Sequence, residues 1–356
     1  MKKKLKIGII GAGLNTKIKH IPGFQAIDGV QVVAVSNRSK ESGEKVAAEF
    51  KIPKVYESWP DLIEDREIDA VCIGTWPYMH YPMTMAALNA GKHVLTEARM
   101  AMNAAEANTM LEVSRAYPEL VTQIVPSPFT FGIDKTIKRL ISDGYVGEIL
   151  SVQLISHTGG FIDKESNMHW RLDRDLSGYN VMLMGIWYEA LLRWIGHASS
   201  VTAVGKVNVN HRKDADGHVN FIDIPDHIEI ICNFPSGAIG HLRFTTITGH
   251  APGDQIWIYG SEGTIRIDTQ GVLTPDALDL DAVTIYGGTK QDEDLKQIEV
   301  STEEKGYWRV EEEFIGAIRG HEQVTHTTFT DGVKYMEFTE AVYRSIQERK
   351  TINLPL

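Results

Sequence analysis

The sequence has very little cysteine: Cys72 and Cys232 are the two among its 356 residues. Two cysteines cannot build a disulfide framework or a zinc site made of cysteine ligands. Both lie in apolar segments, where a reduced and buried thiol is usual. We therefore predict a protein of the reducing cytoplasm that holds no metal ion.

Long apolar segments are also missing. No segment reaches the roughly 18 uninterrupted apolar residues typical of a membrane helix, and the best candidate, residues 181–195, contains Glu189 and Arg193. The basic start, residues 2–6, is similar to the first part of a secretion signal, but glycines interrupt the short apolar segment that follows. We predict neither secretion nor a membrane partner.

The chain lacks an excess of positive charge. Its 36 lysines and arginines against 47 aspartates and glutamates give a formal net charge of −11, which would repel the phosphates of a nucleic acid. A nucleic-acid partner is therefore not predicted. The hydrophobic fraction of 43% is that of an ordinary globular protein, and the length, at about 150 residues a domain, predicts two domains.

Up to residue 125, short apolar segments alternate with helical patterns, which is the rhythm of a doubly wound α/β domain with a parallel sheet. The predicted strands are residues 5–10, 30–36, 70–74, 93–96 and 121–125. The predicted helices are residues 40–50, 63–66, 81–90 and 104–117. Gly91 stands where the residue after a helix end belongs.

The pattern breaks at Val125-Pro126-Ser127-Pro128, because each proline removes a backbone donor and restricts the residue before it. We predict the domain boundary there, with domains at 1–125 and 126–356. Beyond it, alternating segments predict a largely antiparallel sheet with strands at 148–157, 201–210, 227–234, 238–248 and 255–259. The helices predicted to flank this sheet are 134–142, 180–195, 310–319 and 332–347.

Two glycines follow the first predicted strand directly, in Gly11-Ala12-Gly13. Glycines at these positions let the turn tighten and let the backbone approach a pyrophosphate at the N-terminus of the next helix. The third position of the dinucleotide-binding fingerprint holds Thr16 instead of glycine or alanine. A dinucleotide site is predicted here, and an ordinary glycine turn is the alternative.

The end of the second predicted strand reads Ser36-Asn37-Arg38-Ser39 and lacks the carboxylate that bonds the adenosine ribose of NAD. A 2′-phosphate is then not repelled, and Arg38 is placed to clamp it while Ser36 and Ser39 donate hydrogen bonds. The pattern favours NADP as the cofactor. The alternative is NAD, with Asn37 bonding the free ribose and Arg38 stacked on adenine.

Five segments, in this order and spacing, resemble the glucose-fructose oxidoreductase / inositol dehydrogenase (Gfo/Idh/MocA) family: IGIIGAG at 7–13, TWPYMH at 75–80, GKHVLTE at 91–97, GYVGEI at 144–149 and GSEGT at 260–264. The resemblance implies an α/β fold with an N-terminal Rossmann dinucleotide-binding domain and a C-terminal α/β domain with a large open, mostly antiparallel sheet. It also implies an NAD(P)-dependent oxidoreductase that acts on a sugar or polyol. Through the open sheet, it implies a homodimer or homotetramer.

The resemblance also assigns residues to the cofactor by motif: Gly11, Gly13, Leu14 and Asn15 at the pyrophosphate, Asn37 and Arg38 at the adenosine end, Thr75, Pro77 and His80 along the groove, and Glu97 near the nicotinamide ribose. For Thr75 and Pro77 the alternative is an ordinary turn from strand to helix. His80 is equally well explained as a first-turn helix residue that bonds the backbone.

The usual proton-handling groups of the family are missing from this chain. The family places a lysine after the glutamate, where Ala98 stands here, and an aspartate and a histidine four residues apart on one helix face, where Leu183 and Trp187 stand. Oxidation of a secondary alcohol releases a proton, so a base is needed. Arg99 stays protonated and suits anion binding or carbonyl polarisation, but it is a poor base.

Groups that could replace them are concentrated around residues 169–189. We predict a catalytic set of Tyr188, His169, Tyr179 and Arg99, and substrate contacts from Trp170, Arg171, Trp187 and His157. The alternatives are structural: a loop histidine at His169, tyrosines that anchor a helix to the sheet, and a core indole at Trp187. Glu189 either pairs with Arg193 four residues later or transfers a proton. Parity leaves His157 facing either a cleft or solvent.

Three functions are compatible with these residues. The first, which we favour, is an NAD(P)-dependent oxidoreductase of a sugar-like substrate in which tyrosine or histidine replaces the lysine. The second is a glycosidase or lyase that retains its nicotinamide and oxidises a ring carbon transiently. The third is a nucleotide-binding partner protein without catalysis.

Overall fold

The computed structural model describes residues 4–157, 160–179, 181, 183–269 and 283–356. The chain divides into two compact units. The first unit comprises the residues up to Pro126 together with Arg309–Val333, and the second comprises Ser127–Trp308 together with Lys334–Leu356. The domains predicted from sequence, 1–125 and 126–356, are each continuous. In the structure, the segment Arg309–Val333 returns to the first unit.

The first unit is built on a six-stranded parallel sheet with the strand order β3-β2-β1-β4-β5-β6. Its strands are β1 (Leu5–Ile10), β2 (Val30–Ser36), β3 (Lys54–Tyr56), β4 (Ala70–Ile73), β5 (His93–Thr96) and β6 (Thr122–Ile124). Every residue of β4 is buried, as expected for a parallel strand covered by helices on both faces. Its helices are α1 (Ile21–Ala26), α2 (Lys40–Phe50), α3 (Trp59–Glu64), α4 (His80–Asn89), α5 (Ala104–Ala116) and, from the returning segment, α9 (Val310–Ile318).

The strand order of this sheet reverses beside β1, which pairs with β2 on one side and β4 on the other. In open sheets of this kind, ligands bind outside the carboxyl ends of the strands at this reversal. The residues that follow β1, β2, β4 and β5 therefore define the place where a nucleotide is expected.

The second unit contains a nine-stranded sheet with the order β16-β15-β14-β13-β7-β12-β11-β8-β17 and a separate two-stranded hairpin, β9-β10. Its strands are β7 (Ile149–His157), β8 (Ser200–Lys206), β9 (His211–Lys213), β10 (Val219–Phe221), β11 (His227–Asn233), β12 (Ile239–Thr245), β13 (Gln255–Gly260), β14 (Gly263–Thr269), β15 (Val283–Thr289), β16 (Lys296–Ile298) and β17 (Ile352–Asn353). Within the large sheet, β7 and β12 pair in parallel and the other pairs are antiparallel. Its helices are α6 (Asp134–Ser142), α7 (Arg174–Ser177), α8 (Met184–Trp194) and most of α10 (Phe329–Glu348).

One face of this large sheet is buried and the other is open. Alternate residues of β11, such as Ile228 and Ile230, are fully buried, while Ile231 is 47% exposed. On the open face, the rings of Trp257 and Tyr259 stack with centroids 5.6 Å apart. The α/β fold class, with a Rossmann-type parallel sheet and a second, mostly antiparallel open sheet, is confirmed. The described part of the chain contains no helix with the length and apolar character that a membrane crossing requires.

Candidate functional site

The glycine turn after β1 is held against the ends of two neighbouring strands. The Gly11 amide donates to the Ser36 carbonyl at 2.9 Å, and the Ala12 amide donates to Asn37 Oδ1 at 2.8 Å. Gly11 has φ +80, and a Cβ there would lie 2.6 Å from Thr75 Cγ2. Only glycine combines this backbone conformation with so close an approach to Thr75. The turn is therefore compact and exposes its backbone.

The helix that follows the turn explains the departure at Thr16. This residue is buried, and its hydroxyl donates to the Gly11 carbonyl at 3.4 Å. The threonine thus closes the turn through a hydrogen bond where the fingerprint uses a small residue for close packing. Among the described residues, the amides of Gly13 and Leu14 make no hydrogen bond, as is usual for the first turn of a helix. These amides are available to an anion.

Asn37 and Arg38 follow β2, at the adenosine end of the expected nucleotide. Asn37 uses its carbonyl oxygen on the Ala12 amide, so its amide group remains for a ligand. Arg38 is exposed and makes no ion pair with any described residue. Ser36 is buried, and the Ser39 side chain caps α2 by accepting from the Ser42 amide at 3.3 Å. Arg38 is thus the positively charged side chain available to a ligand at the adenosine end.

His80 ties the segments after β4 and β5 together. Its ring is fully buried, with Nδ1 2.7 Å from the Arg99 carbonyl and Nε2 2.9 Å from the Thr75 carbonyl. Pro77 begins a short 3-10 turn just before it. Both ring nitrogens bond the backbone, so His80 holds the segments after β4 and β5 together and does not offer a ring nitrogen to a ligand. Arg99 itself is 7% exposed.

Glu97, at the end of β5, belongs to a buried network that the sequence did not reveal. Its Oε1 lies 3.0 Å from His20 Nε2 and accepts from Asn15 Nδ2 at 2.5 Å. His20 Nδ1 lies 2.5 Å from Glu311 Oε1. His20 lies at the end of the turn Thr16–His20, and Glu311 lies in α9, 291 residues later. No local sequence pattern connects two positions so far apart. The one signal in the sequence was that His20 lies on the helix that follows the phosphate turn.

The charges of this network follow from the hydrogen bonds. Burial opposes a charge on His20, but the hydrogen bonds with Glu311 and Glu97 outweigh it and raise the pKa of the imidazole to about 9. Burial likewise opposes the charge on Glu97, and the hydrogen bonds from His20 and Asn15 outweigh it and lower the pKa of that carboxyl to about 2. Near neutral pH the structure thus contains an imidazolium that is hydrogen-bonded to the Glu97 carboxylate on one side and to Glu311 on the other.

In the second unit, the predicted proton relay at Tyr188 lies in the core. The ring is fully buried and stacks on Phe338 with centroids 3.6 Å apart, and its Oη accepts from the Ala198 amide at 2.8 Å. Burial raises the pKa of the phenol well above its usual range. Trp187 is 1% exposed, packs against Phe129, and donates from Nε1 to Ser156 Oγ at 3.1 Å. These positions favour the packing alternatives for both residues.

The other predicted residues of this stretch lie nearer the surface. His169 is exposed, and its Nδ1 accepts from the Arg171 amide at 3.2 Å, which leaves Nε2 as the protonated nitrogen of the neutral ring. The hydrogen on Nε2 is available for a hydrogen bond, while Nδ1, the nitrogen that would take up a proton, is already occupied by the Arg171 amide. The Arg171 guanidinium lies 4.4 Å from the centroid of the Trp170 ring. Tyr179 is half-buried and stacks on Tyr343 at 4.5 Å.

His157 ends β7 on the partly exposed side of the sheet. Its Nδ1 lies 2.8 Å from Thr248 Oγ1, and its amide donates to Asp254 Oδ1 at 2.7 Å. Partial burial, together with Arg243 and His227, lowers the pKa of the imidazole. Asp254, a residue that sequence reasoning missed, is 2% exposed, and burial raises the pKa of its carboxyl to about 6. His157 is therefore an unprotonated imidazole on a fixed backbone near neutral pH.

A cavity of about 260 Å³ opens in the same unit. Its lining includes Phe161, Leu172, Arg212 and the pair Thr246 and Ile247. Those last two residues immediately precede Thr248, the partner of His157. An aromatic ring, aliphatic groups and a guanidinium around a small cavity suit a small molecule with both apolar and hydroxyl surfaces.

Comparisons with known proteins cover most of the chain. Residues 5–123 match the family model described as "Oxidoreductase family, NAD-binding Rossmann fold", and residues 135–266 match the one described as "GFO/IDH/MocA C-terminal domain". The trans-1,2-dihydrobenzene-1,2-diol dehydrogenase of Xenopus tropicalis is 30% identical over 264 residues, which are 74% of this chain and 74% of that protein. The D-xylose 1-dehydrogenase (NADP(+)) of Hypocrea jecorina is 26% identical over 296 residues, with 74% and 72% covered.

The fold is also found among solved structures. Levoglucosan dehydrogenase, in complex with NADH and levoglucosan, superposes with a TM-score of 0.81 at 20% sequence identity. The superposition covers 99% of this chain and 100% of the other. At this identity the likeness shows a shared fold.

Proposed function

Because this chain belongs to the Gfo/Idh/MocA family of oxidoreductases, we propose that it oxidises or reduces a carbohydrate-like substrate, a sugar or polyol, at a secondary alcohol or ketone. The observation that carries this proposal is the turn after β1, where Gly11 leaves room for backbone contact and the amides of Gly13 and Leu14 are available to a pyrophosphate. A bound nicotinamide would accept or deliver the hydride.

For the cofactor we propose NADP in preference to NAD. Asn37 stands where a carboxylate would repel a 2′-phosphate, and Arg38 is an exposed cation next to it with no described ion-pair partner. The Asn37 amide group would donate to the ribose, while the Arg38 guanidinium would clamp the phosphate. Gly11, Gly13, Leu14 and Asn15 would hold the pyrophosphate, and Glu97 would face the other nucleoside.

For proton transfer we propose His157 as the general base. The imidazole is neutral near pH 7 because its pKa is lowered by burial and by nearby positive charges. In the proposed tautomer, Nδ1 donates to Thr248 Oγ1, so that Nε2 is the acceptor; Nε2 makes no hydrogen bond to any described residue. Asp254 would hold the His157 backbone in place through its amide. The sequence predicted Tyr188 and His169 as catalytic residues and His157 as a substrate contact. We propose that His157, in place of those two, accepts the proton.

Two observations support a sugar or polyol as the substrate: the names of the relatives and the cavity in the second unit. The named relatives are dehydrogenases of a dihydrodiol and of xylose, which are both polyhydroxylated molecules. The cavity that includes Phe161 and Arg212 offers an apolar surface for the carbon face of such a molecule and a donor for its oxygens.

We further propose a cytoplasmic homodimer or homotetramer that assembles through the part of the open sheet face that includes Val204 on β8 and Ile231 on β11, away from the end of β7 that carries His157. That face carries exposed apolar residues on β8 and β11, including Val204 at 67% and Ile231 at 47%, and, beyond β12 and β7, the stacked Trp257 and Tyr259 on β13. An exposed apolar area of this kind suits a protein interface. Cys72 and Cys232 are both free and buried, which fits a reducing compartment.

Turnover with a panel of aldoses and polyols tests the proposed reaction. We expect net reduction of NADP⁺, followed by nicotinamide absorbance, and a kcat lower by about a hundredfold in His157→Gln, the usual contribution of a general base. The control is His211→Gln, which makes the same change on the exposed strand β9. Cleavage of a glycoside without any net change in absorbance would contradict the proposal, and an unchanged kcat would contradict the role of His157.

Cofactor preference is tested separately by calorimetric titration with NADPH and NADH. In Arg38→Ala we expect the Kd for NADPH to rise by about tenfold or more, the cost of losing a charge-assisted clamp, while the Kd for NADH changes by less than about twofold. Arg66→Ala is the matched control, because it removes the same charge from another exposed position of the first unit. Equal effects of Arg38→Ala on both nucleotides would contradict the NADP assignment.

A further inference from the structure

We propose that His20 is a positioning residue for the nicotinamide half of the bound nucleotide, and that it acts as an imidazolium holding the Glu97 carboxylate in one orientation. The inference rests on the proposed function, because it assigns a task within the same nucleotide site. It adds two residues, His20 and Glu311, that no motif of the sequence marked.

The protonation state of His20 follows from its partners. The ring is fully buried, with Nδ1 2.5 Å from Glu311 Oε1 and Nε2 3.0 Å from Glu97 Oε1. A carboxylate only accepts hydrogen bonds, so each ring nitrogen must carry a hydrogen, and this is true of the imidazolium alone. The pKa of about 9 agrees with this geometry. His20 is therefore a fixed positive charge at neutral pH.

Glu97 lies on the side of the sheet expected for the nicotinamide. A dinucleotide binds across the point where the strand order reverses, with one nucleoside on each side. Asn37 follows β2, on one side of β1, whereas Glu97 follows β5, on the other side. The amide of Asn15, within the phosphate turn, donates to the same Glu97 oxygen as His20. The network therefore joins the pyrophosphate position to the nicotinamide side.

The Oε2 atom of Glu97 is the one that we assign to a ligand. Oε1 is occupied by His20 and Asn15, whereas Oε2 accepts a single described hydrogen bond, from the Ala98 amide at 3.2 Å. The side chain is 17% exposed. A carboxylate held in this way is suited to accept hydrogen bonds from the hydroxyls of a ribose.

Glu311 is the second hydrogen-bond partner of the His20 ring and helps to keep it charged. Its side chain is 2% exposed and comes from α9, in the segment that returns to the first unit. Without the imidazolium, the Glu97 and Glu311 side chains would face each other with no positive charge between them. Glu97 would then lose its hydrogen bond from His20 and be held only by Asn15 and the Ala98 amide. The role of His20 therefore depends on its charge and cannot be met by a neutral side chain of similar size.

The test compares a whole nucleotide with its adenosine half. In His20→Gln we expect the Kd for NADP⁺, measured by calorimetry, to rise by about tenfold or more, as for the loss of one hydrogen bond to a charged group. Adenosine 2′,5′-bisphosphate, which lacks the nicotinamide nucleoside, should bind with a Kd within about twofold of the wild-type value. The fragment also reports whether the variant is folded. If the wild type prefers NAD⁺, NAD⁺ and AMP replace the two probes.

A double-mutant cycle with Glu97→Gln shows whether His20 acts through Glu97. In that background the glutamine at 97 has no charge to hold, so we expect His20→Gln to change the Kd for NADP⁺ by less than about twofold. Glu311→Gln is the second variant, for use if His20→Gln does not fold. It should weaken NADP⁺ binding in the same direction and leave the fragment unaffected.

The outcomes separate the two proposals. If His20→Gln weakens NADP⁺ and the fragment equally, or changes neither, or if its effect is undiminished in the Glu97→Gln background, the inference is overturned. If the wild-type protein binds neither probe, the proposed function fails, and the inference fails with it. Wild-type binding of both probes together with a selective loss of NADP⁺ in the variant supports both.

Discussion

Replacing Arg193 with methionine is expected to lower the free energy of unfolding of the second unit by about 3–5 kcal/mol, the cost of breaking a buried ion pair from one side. The Arg193 side chain is 10% exposed. Its Nε lies 3.0 Å from Asp134 Oδ2, and its Nη1 lies 3.0 Å from Glu189 Oε1. Its Nη2 donates to the Ser127 carbonyl at 3.1 Å and to Thr130 Oγ1 at 2.8 Å.

The large effect comes from what the substitution leaves behind. Asp134 and Glu189 have side chains that are 6% and 1% exposed. They keep hydrogen bonds from the Trp194 indole and the Ser127 amide, but they lose the neutralising charge. Two buried carboxylates would then be unbalanced, and methionine replaces only the volume of the arginine.

Guanidinium unfolding, followed by tryptophan fluorescence, measures this effect close to the network, because Trp194 is hydrogen-bonded to Asp134 at 2.7 Å. The control is Arg139→Met, which removes an ion pair with Glu304 in which the arginine side chain is 46% exposed. Pairs exposed to solvent contribute at most about 1 kcal/mol. If Arg193→Met and Arg139→Met had the same free energy of unfolding, the buried Arg193 network would contribute no more to stability than an exposed ion pair, and the prediction would be wrong.

This network also decides between the two roles considered for Glu189. Its carboxylate is 1% exposed, and it already bonds both Arg193 and the Ser127 amide. A group placed in this way stabilises the start of the second unit. The geometry therefore favours the ion pair over proton transfer.

Substituting alanine for Gly11 is expected to raise the Kd for nicotinamide nucleotides by about a hundredfold. The backbone there has φ +80, which costs an alanine about 1–2 kcal/mol. The new Cβ would also lie 2.6 Å from Thr75 Cγ2 and 3.0 Å from the Gly74 carbonyl carbon. The turn must therefore shift away from β4, and its amides would no longer converge on a pyrophosphate. Calorimetric titration with NADPH measures the loss.

Gly91→Ala is the matched control for this prediction. Gly91 has φ +71, close to that of Gly11, but a Cβ there would meet nothing within 4 Å. It follows α4 at the exposed helix end that the sequence predicted. We expect Gly91→Ala to lower stability by about 1 kcal/mol and to leave nucleotide binding unchanged. If both variants bound NADPH as the wild type does, the turn after β1 would not be the nucleotide site.

The regular elements of the first unit could be predicted because their signals are local. The predicted strands at 5–10 and 30–36 coincide with β1 and β2, and the predicted helix at 40–50 coincides with α2. Continuous apolar residues identify buried parallel strands without knowledge of their neighbours. The strand β3 was not predicted, because it is only three residues long and none of them is buried. Its pairing with β2 is what makes it a strand.

In the second unit, helix α8 shows where local signals are insufficient. Most of its residues are apolar or aromatic and buried, so periodicity could not tell which residues face a ligand and which face the core. Packing against Phe129 and Phe338 placed Trp187 and Tyr188 inside. Likewise, the pairing of β7 with β12 and β13 set the side to which His157 belongs, as strand parity alone could not.

The sequence by itself determined the family, the order of the elements and the phosphate turn, because each depends on residues that are neighbours along the chain. Gly11 and Asn37 were identified from the strands they follow. Only the tertiary structure decided the charge network at His20, since Glu311 reaches it from 291 residues away. Burial and hydrogen bonds between distant segments set the protonation of a side chain, and neither is encoded in the residues on either side of it.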